Sequence, residues 1–256
     1  YINKRQILRD LASEYGKSIN WVRSVIATAK ITSKKINPDG LVIVADVTFF
    51  NRFYGFIVFR SPKLKKNLYF KQIPYETIME YRLGREAIEH QGFTISAVVL
   101  DGRPGVRNLF ADVPVQMCHF HQKKIIQRYL TSNPKLEAGI QLKAISDTLT
   151  STNEKEFINK LTNWHNKWNI FLKEKTLDFF NPKRWHYTHR RLRSAYRSLN
   201  TNLPYLFTYK NYPDLNIPNT TNSLDGSFTY LKEKVRIHRG LRAPIKKKII
   251  EQILGN

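Results

Sequence analysis

Three β-rich runs in succession constrain the fold of this 256-residue chain most: "LVIVADVTFF" (41–50), "FYGFIVFR" (53–60) and "LYFKQI" (68–73). β-Branched and aromatic residues dominate each run and the joints between them are short and polar. The spacing predicts an antiparallel three-strand meander. "PYETIMEYRLGREAIEHQG" follows with helical spacing and stops at Gly92. "ISAVVLD" and "VPVQMC" are further buried-strand candidates, with a short helix between them and a longer helix after the second. The order of three strands, helix, strand, short helix, strand, helix predicts a mixed α/β core, its later strands returning beside the first. This first part of the core spans 40–130.

The flanks read differently. "RQILRDLASEYGKSINWVRSVI" (5–26) has two short helical patterns with a turn at Gly16. Ala12 stays small where the helices cross, and Leu8, Leu11, Val22 and Ile26 supply the apolar faces. This is a helix-turn-helix pattern over 1–36, whose second helix, Ser18 to Ala29, would enter a major groove; any helical hairpin shares it. "TSKKINPDG" (32–40) is a linker candidate. Over 131–217 the β signal fades, and "FINKLTNWHNKWNIFLKEK" and "YTHRRLRSAYRSLNTNL" predict basic amphipathic helices, an all-α insertion. The last part, 218–256, opens with the helical "TTNSLDGSFTYLKEKVR" and ends in a basic segment.

Lys and Arg outnumber Asp and Glu 43 to 20, a formal net charge of +23 spread along the whole chain. Such an excess points to a polyanion, and nucleic acid fits better than a membrane surface, which would show as one basic amphipathic helix. No apolar run approaches the ~18–20 residues of a membrane span. The single cysteine excludes a disulfide framework and suits a reducing, intracellular setting. Because Tyr1 rather than Met opens the sequence, further residues are expected before it.

Three acids stand out. Asp46 follows "LVIVA" and Asp101 follows "ISAVVL", each at the C-terminal end of a predicted buried strand, where α/β sheets place their chemistry. Asp225 lies in the first turn of the helix after the insertion. Three carboxylates at one sheet edge repel each other unless divalent cations with a taste for hard oxygen, Mg²⁺ or Mn²⁺, sit among them. Other readings stand beside this one. Asp101-Gly102 is a turn signal, and Asn222 with Asp225 has the spacing of a helix cap and its acidic partner. Asp46 is hardest to explain otherwise, since an ionisable group inside an apolar strand needs a reason to be there.

The motifs "ADVTFF", "VVLDGRPG", "VQMCHFHQKK" and "NTTNSLDGSFTYLKEKVRIHRGL", with "RWHYTHRRLRSAYRSL" in the insertion, together resemble the DDE transposases of the mutator-like insertion-sequence group over roughly residues 40–245. The resemblance implies an RNase H-like core of five strands interrupted by a helical insertion between the second and third acids. It implies Asp46, Asp101 and Asp225 as catalytic acids holding two Mg²⁺ or Mn²⁺ ions. In most of that group the third acid is Glu, one methylene longer than the Asp found here. Cys118 and His121 match its C-x-x-H signature. The implied partner is double-stranded DNA, transposon ends and target, engaged by a homodimer in a synaptic complex. The implied location is cytoplasmic and nucleoid-associated in a prokaryote, or nuclear in a eukaryote.

As a zinc site, Cys118 and His121 supply two ligands where four are usual; His186 and His189 would have to complete the set, and zinc is not expected. His121 is expected to contact a phosphate or brace the acids, and His119 to pack or face solvent. Trp164 and Trp168, four apart, suit a helix core face, whereas Trp185, between Arg184 and His186, suits DNA, where it would stack on a base. His189, Arg190, Arg191 and Arg193 read as phosphate contacts or as a solvated helix face. Asn222, Lys232, Arg236 and Arg239 would reach DNA from the last helix.

Overall fold

A computed structural model describes residues 6–28, 40–181, 183–237 and 240–255. In chain order the elements are α1 (Leu8–Glu14), α2 (Ile19–Thr28), β1 (Gly40–Asn51), β2 (Tyr54–Ser61), β3 (Lys66–Ile73), α3 (Ile78–His90), β4 (Thr94–Leu100), α4 (Pro104–Asn108), β5 (Val115–Met117), α5 (His119–Leu130), α6 (Glu137–Asp147), α7 (Glu154–Lys173), β6 (Lys175–Leu177), β7 (Trp185–Tyr187), α8 (Arg190–Leu206), α9 (Thr208–Asn211), α10 (Asn222–Ile237) and α11 (Ala243–Gly255). One five-stranded sheet has the order β3-β2-β1-β4-β5, and β6 and β7 form a separate two-stranded sheet. The chain folds as two compact units, Tyr1–Ser96 with Asn222–Asn256, and Ala97–Thr221. Among the described residues no helix is long and apolar enough to cross a membrane.

The first unit is built on the predicted meander. β1 and β2 pair antiparallel from Val44↔Arg60 to Asn51↔Tyr54, and β2 pairs antiparallel with β3. The middle of β2, residues 55–59, is buried on both faces, as its unbroken apolar run requires. α3 packs against β2 and β3. Its start is fixed by Thr77, whose hydroxyl accepts the Glu80 N–H, and the chain turns away at Gly92, φ +86°. Contact between α3 and β2 needs Gly84. A Cβ there would lie 2.3 Å from the Phe59 ring. That ring is itself wedged edge-on between Tyr69 and Tyr81 and has nowhere to go.

The two N-terminal helices are joined by a turn at Gly16, φ +59°, with Leu11 and Val22 buried between them. The Ser18 hydroxyl accepts the Trp21 N–H and caps α2, whose Asn20, Trp21, Arg23 and Ser24 face solvent. Residues 29–39 lie outside the described residues, as does Ala29 at the end of the predicted second helix. The basic C-terminal segment is in fact a helix, α11, with Ile249, Ile250 and Leu254 buried; it packs on α2, β3 and α10. Lysines at 246–248 hid its apolar face in the sequence.

In the second unit β4 and β5 run parallel. α5, α6, α7 and α8 enclose a core of Ile126, Leu142, Phe157, Leu161, Leu199 and Phe207, with further apolar residues around it. Asn153 caps α7 by accepting the Glu156 N–H at 2.9 Å. The insertion is not all-α as expected: Lys175–Leu177 pairs antiparallel with Trp185–Tyr187. Strands of three residues are too short to show a periodicity of their own.

Gly84→Ala should lower stability by about 1–3 kcal/mol despite the better helix propensity of alanine, because the core around Phe59 must be forced apart. Urea unfolding monitored by circular dichroism checks this; an unchanged midpoint would refute the packing account.

Candidate acid site and nucleic-acid surface

Asp46 lies in the first unit, and the structure corrects its expected location. It stands in the middle of β1, opposite Val58 of β2, because "VTFFN" continues the strand as far as its hairpin with β2. The residue is only 7 % exposed, and one carboxylate oxygen accepts the Val47 N–H at 2.7 Å. A carboxylate buried on a sheet strand is expensive to keep ionised. Asp225 is in the same unit, half-buried in the first turn of α10, a helix that packs on β1. Asn222 is the first residue of that helix and is exposed, as are Lys232 and Arg236, whereas Lys234 between them is buried at 2 % exposure with its ammonium 5.1 Å from the Tyr230 ring centre. Arg239 lies outside the described residues.

Asp101 is in the second unit, directly after β4. The turn reading of Asp101-Gly102 is correct as far as the backbone goes, since Gly102 has φ +96°. A side chain at Gly102 would also strike the Met117 sulfur at 2.2 Å. The Asp101 carboxylate accepts the Arg103 N–H at 3.2 Å and remains partly exposed. It borders a cleft of about 460 Å³ lined by Arg103, His121, Lys124, Ile125 and Arg128. Four of those five neighbours can carry positive charge, so an anion entering the cleft would meet cations on several sides.

The turn is held by a residue that sequence reading missed. Arg107, on α4, is 6 % exposed. Its guanidinium donates to the Gly102 carbonyl at 2.8 Å and to the Asn202 side-chain oxygen, and lies 4.5 Å from the Tyr205 ring centre. Burial pulls its pKa down, while the nearby Tyr205 and Asp101 oppose that shift. Asn202 in turn donates to Gln122, and Gln122 to Ser198 at 3.3 Å. An arginine in "GRPGVRN" looks like any surface cation, and nothing local in the sequence distinguishes it.

The "MCHFHQ" segment has a related role. Cys118 is fully buried, and its sulfur accepts the Thr221 N–H at 3.2 Å. His119, also fully buried, meets the Leu206 carbonyl through Nε2 at 2.6 Å, while its backbone N–H donates to Asn219. Gln116 donates to that same Leu206 carbonyl and accepts the Tyr209 N–H. Cys118, His119 and Gln116 are therefore binding sites for the returning chain, 206–221. His121 stands in the first turn of α5 and lines the Asp101 cleft.

Of the aromatic and basic residues singled out in the insertion, Trp164 and Trp168 pack as expected; their indole N–H groups donate to Ala138 and Gln141, both at 2.9 Å. His189 and Arg193 are engaged within the protein. His189 meets Glu174 at 2.9 Å and stacks on Phe171, and Arg193 donates to the Leu172 carbonyl at 2.7 Å and lies 3.5 Å over Tyr187. Arg184, Trp185, Arg190 and Arg191 face solvent. Among the described residues no three His, Cys, Asp or Glu side chains gather closely enough to hold a metal ion.

The mixed five-stranded sheet flanked by helices defines an α/β protein. Comparison with known proteins finds no matching family model and no matching curated protein.

Two predictions follow from the buried network. Burial pushes the His119 pKa below its ordinary 6.5, so the folded protein holds this ring neutral while the unfolded chain protonates first. Its contribution to stability is complete above pH 6.5 and is lost as pH falls from there through the depressed folded value. His119→Gln, which keeps a donor toward Leu206, should flatten the stability difference between pH 7.5 and 5.5 in paired urea titrations. Arg107→Ala leaves a buried carbonyl and amide oxygen unpaired and should cost about 3–5 kcal/mol, read as a fall in melting temperature.

Proposed function

We propose that the protein is a DNA transposase with an RNase H-like core, acting at element ends through Asp46, Asp101 and Asp225. The observation that carries this reading is Asp46, a carboxylate buried on the central strand of the sheet in a chain of net charge +23. The strand order β3-β2-β1-β4-β5, antiparallel through the first three strands and parallel between the last two, supports an RNase H-like arrangement, and the sequence motifs support the transposase class.

The donor set fits Mg²⁺ or Mn²⁺, since all three side chains offer hard carboxylate oxygens. Asp46, Asp101 and Asp225 would hold the ions, whose charge would offset the repulsion among the carboxylates. When bound, two such ions provide a water or 3′-hydroxyl ionised near neutral pH and positive charge opposite the leaving oxygen. The remaining work belongs to the protein. Asp46, fixed by β1, would supply one ligand to an ion, and the Arg107-braced turn orients Asp101. His121, Lys124 and Arg128 hold a phosphate of the backbone beside Asp101. Arg184, Arg190, Lys232 and Arg236 neutralise phosphates farther along, and α2 offers a helix for a major groove. Strand cleavage at each end is followed by joining of the freed 3′-hydroxyl to target DNA, and synapsis of two ends makes a dimer or larger assembly the active form.

The shorter third acid supports a second reading, a DNA-binding descendant whose catalysis has weakened. One assay separates them. Purified protein is incubated with element-end DNA and Mn²⁺ or Mg²⁺. The first reading expects metal-dependent nicking that falls at least ~100-fold in Asp46→Ala and Asp101→Ala, an electrostatic loss of several kcal/mol. DNA binding without cleavage by any of the proteins selects the second reading, and Asp225→Glu should then restore cleavage if reach is what was lost.

A further inference from the structure

The hairpin β6–β7 carries an observation that the acid site does not use. At its tip Phe179 and Phe180 are 91 % and 92 % exposed, their rings edge-on to each other at 5.3 Å. Soluble proteins seldom display two adjacent phenylalanines so completely, and such display marks a contact surface. The tip is also ordered by specific bonds. The Asp178 carboxylate accepts the N–H groups of Phe180 and Asn181 at 2.9 and 3.1 Å. The Asn181 side chain accepts the Lys183 N–H, and its carbonyl the Arg184 N–H at 2.8 Å. The Asp178 N–H closes the loop on the Arg184 carbonyl. Five hydrogen bonds thus tie together described residues of the tip around the two apolar rings.

The surroundings identify the occupant. Down the stem, the Lys175 ammonium lies 3.7 Å from the centre of the half-exposed Trp185 ring, and Trp185 meets Tyr187 edge-on. Lys173, Lys183, Arg184 and Arg190 are exposed around it. The two acids of the hairpin region each have a partner within the protein, Asp178 on the turn and the half-exposed Glu174 on His189. What remains is aromatic rings framed by cations, the chemistry that stacks on bases while neutralising phosphates.

We infer that the β6–β7 tip is a wedge that inserts Phe179 and Phe180 between DNA bases at an unpaired or easily unstacked step, with Trp185 and the surrounding lysines and arginines gripping the strand behind it. The rings take the place of a neighbouring base, so the contact tolerates any sequence and favours frayed ends, mismatches and junctions over intact duplex. The inference rests on the DNA-binding part of the proposed function and is independent of the acids.

The test uses the full chain and a duplex with 2-aminopurine in its terminal base pairs, beside a fully paired duplex with the label placed internally. The unaltered protein should raise 2-aminopurine fluorescence at the frayed end. Phe179→Ala/Phe180→Ala should abolish that rise and weaken end binding at least tenfold. The slope of affinity against salt should stay the same, because no charge is removed. Phe179→Tyr/Phe180→Tyr should restore both signals, since the rings are retained. Full-strength end binding and an unchanged rise in the alanine variant overturn the wedge while leaving DNA binding intact. Loss of self-association by the alanine variant with DNA affinity unchanged also overturns it and makes the tip a protein contact. If the unaltered protein binds neither duplex, the wedge and the DNA reading fall together.

Discussion

A buried cation organises the second unit. Arg107 has to leave water to reach its place, and there the Gly102 carbonyl, the Asn202 amide and the Tyr205 ring meet one end of its guanidinium, while its Nε is buried without a hydrogen-bond partner. Two of those partners, Asn202 and Tyr205, come from chain nearly a hundred residues away. The guanidinium therefore makes the turn after β4 and the helix α8 mutually dependent. Asn202 and Gln122 extend the dependence to α5, so that the Asp101 turn inherits the rigidity of a helical core.

The same logic explains the landmark segment at 116–122. In sequence its thiol and imidazoles look like chemistry. In the fold residues 115–119 are buried in succession at the strand end and helix start, Gln122 is buried one turn on, and His121 is left beside the acid cleft. Gln116, Cys118 and His119 bond the backbone of residues 206–221, and Gln122 bonds the Asn202 and Ser198 side chains of α8. One residue faces the chemistry while its neighbours hold the frame.

What could be read from the sequence follows from where the determining interactions lie. The meander, α3, α5, α7 and α8 were visible because their apolar spacing is local. Asp46 was conspicuous because a charge in "IVADVTFF" contradicts its surroundings, although its mid-strand position depended on pairing with β2 that the residues alone do not state. Arg107 was invisible, since only Asn202 and Tyr205 make it a core residue. His189 and Arg193 matched a DNA-contacting pattern, and only the packing of α7 against the β7–α8 junction shows that Glu174, Phe171 and Leu172 already occupy them. α11 escaped notice because its lysines dominate the composition, while the helix packs on α2 and β3, about 170 or more residues earlier in the chain.

Cys118 has a further consequence for how the chain assembles. Its backbone N–H donates to Leu100 at 2.8 Å and its sulfur accepts the Thr221 N–H, so one residue holds both ends of the second unit. An excursion of about 120 residues returns to its point of departure, a closure worth on the order of 4 kcal/mol of chain entropy. Once the second unit has folded around Cys118, that entropy is already spent. The closure shortens the effective chain separation between Ser96 and Asn222, the residues that border the second unit in sequence.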